Sequence, residues 1–328
     1  MNYERIITHG DFDGVVSAAI CSYVLGCERF VFTGPNSITR SEIYTANGDI
    51  VCDLPYPLEC GMWFDHHPGN REAVKLRGLD PEKIPGRFKP EPSCARVIYS
   101  YFMELGRELP VYFVETVAEA DTIDSFDYSS VEEWREETPG KLVDMSLKVY
   151  FPSPREQTKY LHHLTEQVRD KDLDEVLKDS VVASNLERYR IEERRMLDFI
   201  RESISFLPED RMRELILLDF VHYRRPPRVI KNLAYLVYPK ALGVLTLNPL
   251  FSGGRKTNNI SVSMSLSMNM TGRDHGKDIG EIMRSLNIGD GHVGAAAGTV
   301  HCDSKEEMLR TKKSLLSKIW KLWKASSP

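Results

Sequence analysis

Short apolar runs alternate with helical stretches through the first 70 residues. Arg5–Thr8, Arg29–Thr33, Asp49–Leu54 and Gly61–Phe64 are apolar or β-branched and followed by turn residues, the pattern of buried strands. Between the first two, Val15–Leu25 is apolar nearly all round and rich in Ala, which predicts a helix packed on a sheet. Strand–helix alternation with short connections predicts a parallel, doubly wound α/β sheet. Ligands of such sheets bind beyond the carboxyl ends of the strands.

Arg96–Met103 and Val111–Ala120 read as further helices of the same domain. From Pro154 to about Phe206 the pattern changes. Leu161, Leu164 and Val168, then Leu173, Val176, Leu177 and Val181, recur at helical spacing with charges between them. This predicts a helical linker ending at Leu207-Pro208. A second, smaller α/β unit follows, with strands at Glu214–Phe220, Ala241–Leu247, Ile260–Leu266 and Gly294–His301. Its helices are expected at Gly276–Ser285 and about Lys305–Lys324. The expected division is residues 1–154, a helical connector over 155–209, and 210–328.

Composition sharpens this only in part. The chain has 328 residues, 41% hydrophobic and 28% charged, which excludes a disordered or fibrous protein and fits two domains. No apolar run is long enough for a membrane span, and no apolar signal-peptide core opens the chain. The six cysteines form no C-x-x-C pair and read as free thiols, so a soluble cytoplasmic protein is expected. The net charge of −5 hides an asymmetry. Residues 1–209 hold 24 Lys and Arg against 38 Asp and Glu, and residues 210–328 hold 19 against 10. An acidic half suits metal cations and a basic half suits phosphates.

The unusual residues fall where the fold would gather them. The first strand runs into Thr8-His9-Gly10-Asp11-Phe12-Asp13-Gly14, directly before a helix. His9, Asp11 and Asp13 alternate and so project to one side of an extended segment. Imidazole with carboxylates suits a borderline-to-hard divalent cation. The bland alternative is a turn and N-cap. Asp53 ends the third strand, and the fourth ends in Asp65-His66-His67-Pro68, three polar groups that packing does not explain. One histidine of this pair is expected on a metal and the other toward a substrate anion, with Asp65 accepting the second ring N–H of the metal-bound histidine and fixing its tautomer. A further acidic cluster, Glu119 to Asp124, follows an apolar helix. Three of four strands thus end in metal-capable residues.

With these residues in view, the sequence resembles the DHH phosphoesterase superfamily, which includes RecJ-type exonucleases, oligoribonucleases, cyclic-dinucleotide phosphodiesterases, exopolyphosphatases and family II pyrophosphatases. His9-x-Asp11-x-Asp13-Gly14, Asp53 and Asp65-His66-His67 resemble its first three motifs. Gly289-Asp290-Gly291-His292-Val293-Gly294-Ala295-Ala296-Ala297-Gly298 resembles the signature of the DHH-associated C-terminal domain. The resemblance implies two divalent cations per chain, Mn²⁺ first and Mg²⁺ or Co²⁺ as alternatives. His9 and Asp11 would hold one, Asp13 and His66 the other, with Asp53 bridging. Asp121 is the better match to the fourth motif's ligand, and Asp124 is the alternative. His67, with Asp65, would act on the scissile phosphate.

In the C-terminal domain, Gly289, Gly291 and His292 are expected to grip substrate, while Asp290 stands where the family has Gly. Arg255, in Ser252-Gly253-Gly254-Arg255-Lys256, is a second candidate anion contact, with Arg273 and His275 weaker. His162-His163 and the Lys- and Trp-rich tail helix are read as packing. The implied activity is hydrolysis of phosphodiester bonds in short oligonucleotides or dinucleotides. A phosphoanhydride hydrolase is the alternative, and a binding module without turnover ranks third. No membrane partner is expected, and a homodimer is compatible.

Overall fold

The computed structural model describes residues 3–270, 276–291 and 293–325. It divides into two compact units. One holds the chain up to Asp127 and Glu136–Ile191, the other Tyr128–Arg135 and the chain from Glu192.

The first unit is built on β1 (Arg5–Thr8), α1 (Phe12–Leu25), β2 (Phe30–Phe32), α2 (Pro35–Thr39), β3 (Asp49–Cys52), β4 (Met62–Asp65), α3 (Pro68–Leu76), β5 (Gly86–Phe88), α4 (Cys94–Glu104) and α5 (Tyr112–Ser125). Its five strands are all parallel, in the order β2-β1-β3-β4-β5. This is the flavodoxin-like order, whose direction reverses between β1 and β3. Alternation puts Ile6, Ile50 and Phe64 on one face, packed under α1, α4 and α5. Ile7, Val51 and Trp63 lie on the other, with Ile38 of α2 and Val74 of α3. The sheet is doubly wound, as expected. β5, only three residues around a glycine, has too little pattern to read in advance.

After α6 (Val131–Arg135) of the other unit come α7 (Pro139–Leu147), α8 (Pro154–Asp170), α9 (Leu173–Lys178) and α10 (Ser180–Ser203). The expected connector is helical, but much of it does not stand apart. Tyr160, Leu161, Leu164, Val168, Leu173, Val176 and Val182 are buried in the first unit's core. The apolar stripe on α8 covers α1 rather than bridging solvent. His162 packs edge-on against Phe30 and Phe32, and His163 pairs with Asp179.

The second unit holds β6 (Ile204–Ser205), β7 (Leu215–Asp219), α11 (Ala234–Val237), β8 (Gly243–Ser252), β9 (Arg255–Leu266), α12 (Ile279–Ser285), β10 (Gly289–Gly291), β11 (Ala295–Val300) and α13 (Lys305–Ala325). Its six-stranded sheet has the order β10-β11-β9-β8-β7-β6 and is antiparallel except for β7 with β8. The tail helix α13 buries Met308, Leu315, Ile319 and Trp323 in this unit's core. The six cysteines are buried free thiols. Among the described residues, no helix is long and apolar enough to cross a membrane.

Candidate metal centre

The carboxyl ends of β1, β3 and β4 converge at the point where strand order reverses. Asp11 caps α1, accepting the Gly14 N–H at 2.9 Å. Gly14 is required here. A Cβ at that position would lie 2.2 Å from the His9 carbonyl oxygen, so any side chain would push α1 off the loop that carries His9 and Asp11. Asp13, in the first turn of α1, is buried and accepts the N–H groups of Cys94 and Ala95 at 2.7 and 2.8 Å. Those are free donors at the N-terminus of α4, where the helix dipole favours a carboxylate. Asp53 follows β3 with φ of 55°, a left-handed conformation that aspartate tolerates better than most residues.

Three trios of donor atoms result: His9, Asp11 and Asp53; Asp13, His66 and Asp124; and Asp53, His66 and His67. His9 Nδ1 lies 2.5 Å from Asp11 Oδ2 and 3.7 Å from Asp53 Oδ2. His66 Nε2 lies 3.4, 3.6 and 3.9 Å from carboxylate oxygens of Asp124, Asp53 and Asp13. Most of these separations exceed a hydrogen bond. They match ligands of one ion, since donors about 2.0–2.2 Å from a cation sit roughly 3–4 Å apart. Asp53 Oδ1 and His66 Nε2 are buried and have no hydrogen-bond partner among the described residues. Buried polar atoms are normally satisfied, so this chain's own donors fit divalent cations.

The electrostatics agree. Burial, then the charges of Asp124 and Asp11, pushes the Asp13 carboxyl well above the carboxylate range. Burial and the neighbouring Asp13 and Asp11 do the same to Asp53. Asp124 is pushed up to about 6 by burial and by Asp11. Burial and the neighbouring His67 hold His66 below its ordinary value, which keeps its ring neutral and able to ligate. A cation would relieve each of these costs.

Asp121 does not join the cluster. Its carboxylate accepts from Ser93 Oγ at 2.7 Å and from Arg96 Nε and Nη2 at 2.8 and 2.6 Å. It anchors the start of α4 to α5. Asp124 lies nearly one turn later on α5 and reaches His66, so the expectation for Asp121 passes to Asp124.

The histidine pair divides differently than Asp65 alone implied. Asp65, fully buried, takes His67 Nδ1 at 2.9 Å and the Asn70 amide at 2.7 Å. Burial opposes protonation of His67, but the Asp65 bond and the surrounding carboxylates outweigh it and its pKa is raised. His66 Nδ1 instead faces the Glu91 carbonyl at 3.0 Å, which fixes the tautomer that turns Nε2 to the cluster. Glu91, Cys94 and Ala95 act through backbone groups, which carry no side-chain signal in the sequence, and Ser93 caps α4. A cavity of about 350 Å³ opens beside His9 and Asp11, lined also by Phe32, Gly34, Gln157 and Thr158.

The C-terminal candidates are not gathered. Gly289 and Gly291 lie in β10, where a Cβ would meet the Ala297 and Ala295 carbonyl oxygens at 2.0 and 2.4 Å. They are glycines because β10 presses on β11. Asp290 turns to Arg284, 2.7 Å away, rather than toward a ligand. His292, like Arg273 and His275, lies outside the described residues. Arg255 is exposed at the β8–β9 turn, paired with Ser252, whereas Ala295, next to that glycine loop, pairs with Ser265. Ten residues of extended strand separate the two ends, about 33 Å. Arg255 therefore does not belong with Gly289 and Gly291.

No protein-family profile matches the chain, and no curated protein does. Solved structures match across its length. The pGpG-specific phosphodiesterase PggH from Vibrio cholerae has a TM-score of 0.70 at 22% identity, covering 97% of this chain and 99% of that one. RecJ from Thermus thermophilus with Mn²⁺ has a TM-score of 0.51 at 14% identity, over 97% of this chain and 52% of RecJ. Its complex with Mg²⁺ scores 0.52 at 14% identity, over 97% and 50%. The likeness extends over both units, and this chain shares the fold of PggH and RecJ.

Proposed function

We propose that the protein is a two-metal phosphoesterase that hydrolyses phosphodiester bonds in short nucleotides. The observation that carries this reading is the pair of donor trios, His9–Asp11–Asp53 and Asp13–His66–Asp124, linked by the 3.6 Å approach of His66 Nε2 to Asp53 Oδ1. PggH is named for its action on pGpG, which supports a short nucleotide substrate. Mn²⁺ is the proposed ion, two per chain, in line with the RecJ complex. When bound, two such cations supply an activated water and neutralise charge on the phosphoryl oxygens.

The chain's own residues do the rest. Asp65 holds His67 by Nδ1 and favours its protonated form, leaving Nε2–H to donate to a phosphoryl oxygen. The Glu91 carbonyl orients His66, and the Cys94 and Ala95 N–H groups hold Asp13, so the donors are in place before substrate arrives. Asn70 keeps Asp65 from rotating away from His67.

The test is a substrate panel with Mn²⁺: bis(p-nitrophenyl) phosphate, pGpG, longer oligonucleotides, cyclic dinucleotides, phosphoadenosine phosphate and polyphosphate. The reading expects metal-dependent cleavage of the generic ester and fastest turnover of a short linear nucleotide. Turnover of polyphosphate alone would replace the phosphodiesterase reading with a phosphoanhydride hydrolase.

A further inference from the structure

The second unit holds a cavity of about 340 Å³ that is lined by three lysines and, among the described residues, by no acidic group. Lys256 comes from the start of β9 and His222 from the turn after β7. Lys305 opens α13, and Lys312 returns to the same side of that helix about two turns later. Val221 and Met308 give the cavity an apolar wall. Lys256 is in phase along β9 with the core-facing Ile260 and Val262, so the cavity lies on the side of the sheet that α13 covers. It sits at the Arg255 end of β9, whereas the strand that follows the glycine run pairs with the opposite end.

The charges around this space do not balance. Lys312 is paired with Asp219 at 2.6 Å. Two carboxylates of the first turn of α13 are engaged elsewhere: Glu307 accepts the Asp303 N–H at 2.8 Å, and Glu306 lies 3.6 Å from Arg310. Lys256, half-buried, donates to the carbonyl oxygens of Val221 and Tyr223 at 2.5 and 2.8 Å. Those bonds fix the ammonium without neutralising it and leave one of its three N–H donors unspent. Lys305 has no hydrogen bond or ion pair among the described residues. Burial, then the charge of Lys305, lowers the pKa of Lys256, so the two ammonium groups repel each other. The N-terminus of the 21-residue α13, the positive end of its dipole, adjoins the same space.

We infer that this cavity is a second ligand site, which binds a small phosphate monoester with its phosphoryl group between Lys256 and Lys305 and its organic part against Val221 and Met308. Two unbalanced ammonium groups match the charge of a phosphoryl dianion, which also accepts the unspent N–H of Lys256. A lone phosphate would leave most of the space empty, whereas about 340 Å³ is within the size range of small-molecule sites. The inference rests on neither the metal centre nor the proposed activity. The alternative is a solvated basic cleft, in which Lys256 only ties the turn after β7 to β9.

The experiment is labelling of the full-length, chelator-treated protein with pyridoxal 5′-phosphate, a phosphate monoester whose aldehyde condenses with a nearby amine and releases water. Borohydride reduces the imine to a stable secondary amine, and peptide mass spectrometry identifies the lysine. This readout keeps binding in the first unit apart from binding here. Lys256 or Lys305 is expected to be labelled at half-saturation about tenfold lower, or better, than with pyridoxal, which lacks the phosphate. Excess inorganic phosphate or GMP should protect, and guanosine should not. Lys305→Met or Lys256→Met should leave no preferential label on the other lysine. Equal labelling by pyridoxal would overturn the inference, as would labelling that neither phosphate nor GMP reduces. So would a preference falling instead on Lys313, Lys318 or Lys321 of the exposed face of α13, or a folded Lys305→Met in which Lys256 is labelled as before. If Lys256→Met does not fold, Lys305→Met decides, because it removes no described contact. Protection by a 5′-phosphorylated oligonucleotide but not by phosphate or GMP would assign the cleft to nucleic acid and overturn the small-ligand reading.

Discussion

The two sheets gather polar residues in opposite ways. In the parallel sheet every strand delivers its carboxyl end to the same edge, so the residues after β1, β3 and β4 meet although the sequence keeps them far apart. In the largely antiparallel sheet, neighbouring strands run in opposite directions. There Arg255 and the glycine loop fall at opposite ends of β9. Parallel topology turns a strand-end motif into a site, whereas an antiparallel one leaves it a local turn.

The sharpest way to break this contrast is to remove Asp53, which belongs to one donor trio and lies 3.6 Å from His66 of the other. Asp53→Asn keeps the size and tolerates positive φ. It is expected to lower Mn²⁺-dependent turnover by about a thousandfold, some 4 kcal/mol of barrier. The same change should raise the thermal midpoint of the metal-free protein by a few degrees, because it removes a buried carboxylate crowded by others. A fall in both quantities would mean that Asp53 is a structural residue.

The next effect is on stability against pH. Asp13, Asp53 and Asp124 have pKa values raised by burial and mutual repulsion, Asp124 to about 6. The folded metal-free protein therefore holds protons that the unfolded chain has already lost. The stability these three groups contribute is largest below about pH 4 and falls as pH rises from there through about 6. Mn²⁺ should stabilise more at about pH 7.5 than at pH 5, because it replaces those protons. Melting curves with and without metal across this range check both slopes, and a metal-free stability that rises from pH 5 to 7.5 would contradict the electrostatics.

A smaller effect separates the two α5 aspartates. Asp124→Asn should weaken metal binding and turnover about 10- to 100-fold. Asp121→Asn should leave metal content near normal and cost about 1–3 kcal/mol of stability, through the lost bonds to Arg96 and Ser93. The reverse pattern would restore Asp121 to the metal centre. Smallest of all, Arg255→Ala should change stability by less than about 0.5 kcal/mol and turnover by less than about twofold, as for an exposed hairpin residue. A large loss of nucleotide turnover would return the β8–β9 turn to substrate binding.

Much of the first unit was legible because its signals are local. Continuous apolar runs marked β1, β3 and β4, and the residues ending them were too polar for packing. The fourth contribution was not fixed, because Asp121 and Asp124 both follow one apolar helix and only the helical rotation of α5 decides which turns inward. The holders of the cluster, Cys94 N–H, Ala95 N–H and the Glu91 carbonyl, are backbone groups with no sequence signature. In the second unit the glycine run was visible, but its close packing of β10 on β11 looks the same in sequence as a ligand loop.

The central claim is a dinuclear centre with Asp53 between its halves. Its most direct test is the number of Mn²⁺ ions bound per chain at equilibrium, measured on the wild type and on His66→Ala with folding checked in parallel. Two ions on the wild type and one on the folded variant is the predicted result. A count near zero on folded wild type, or an unchanged count when His66 is removed, would contradict it.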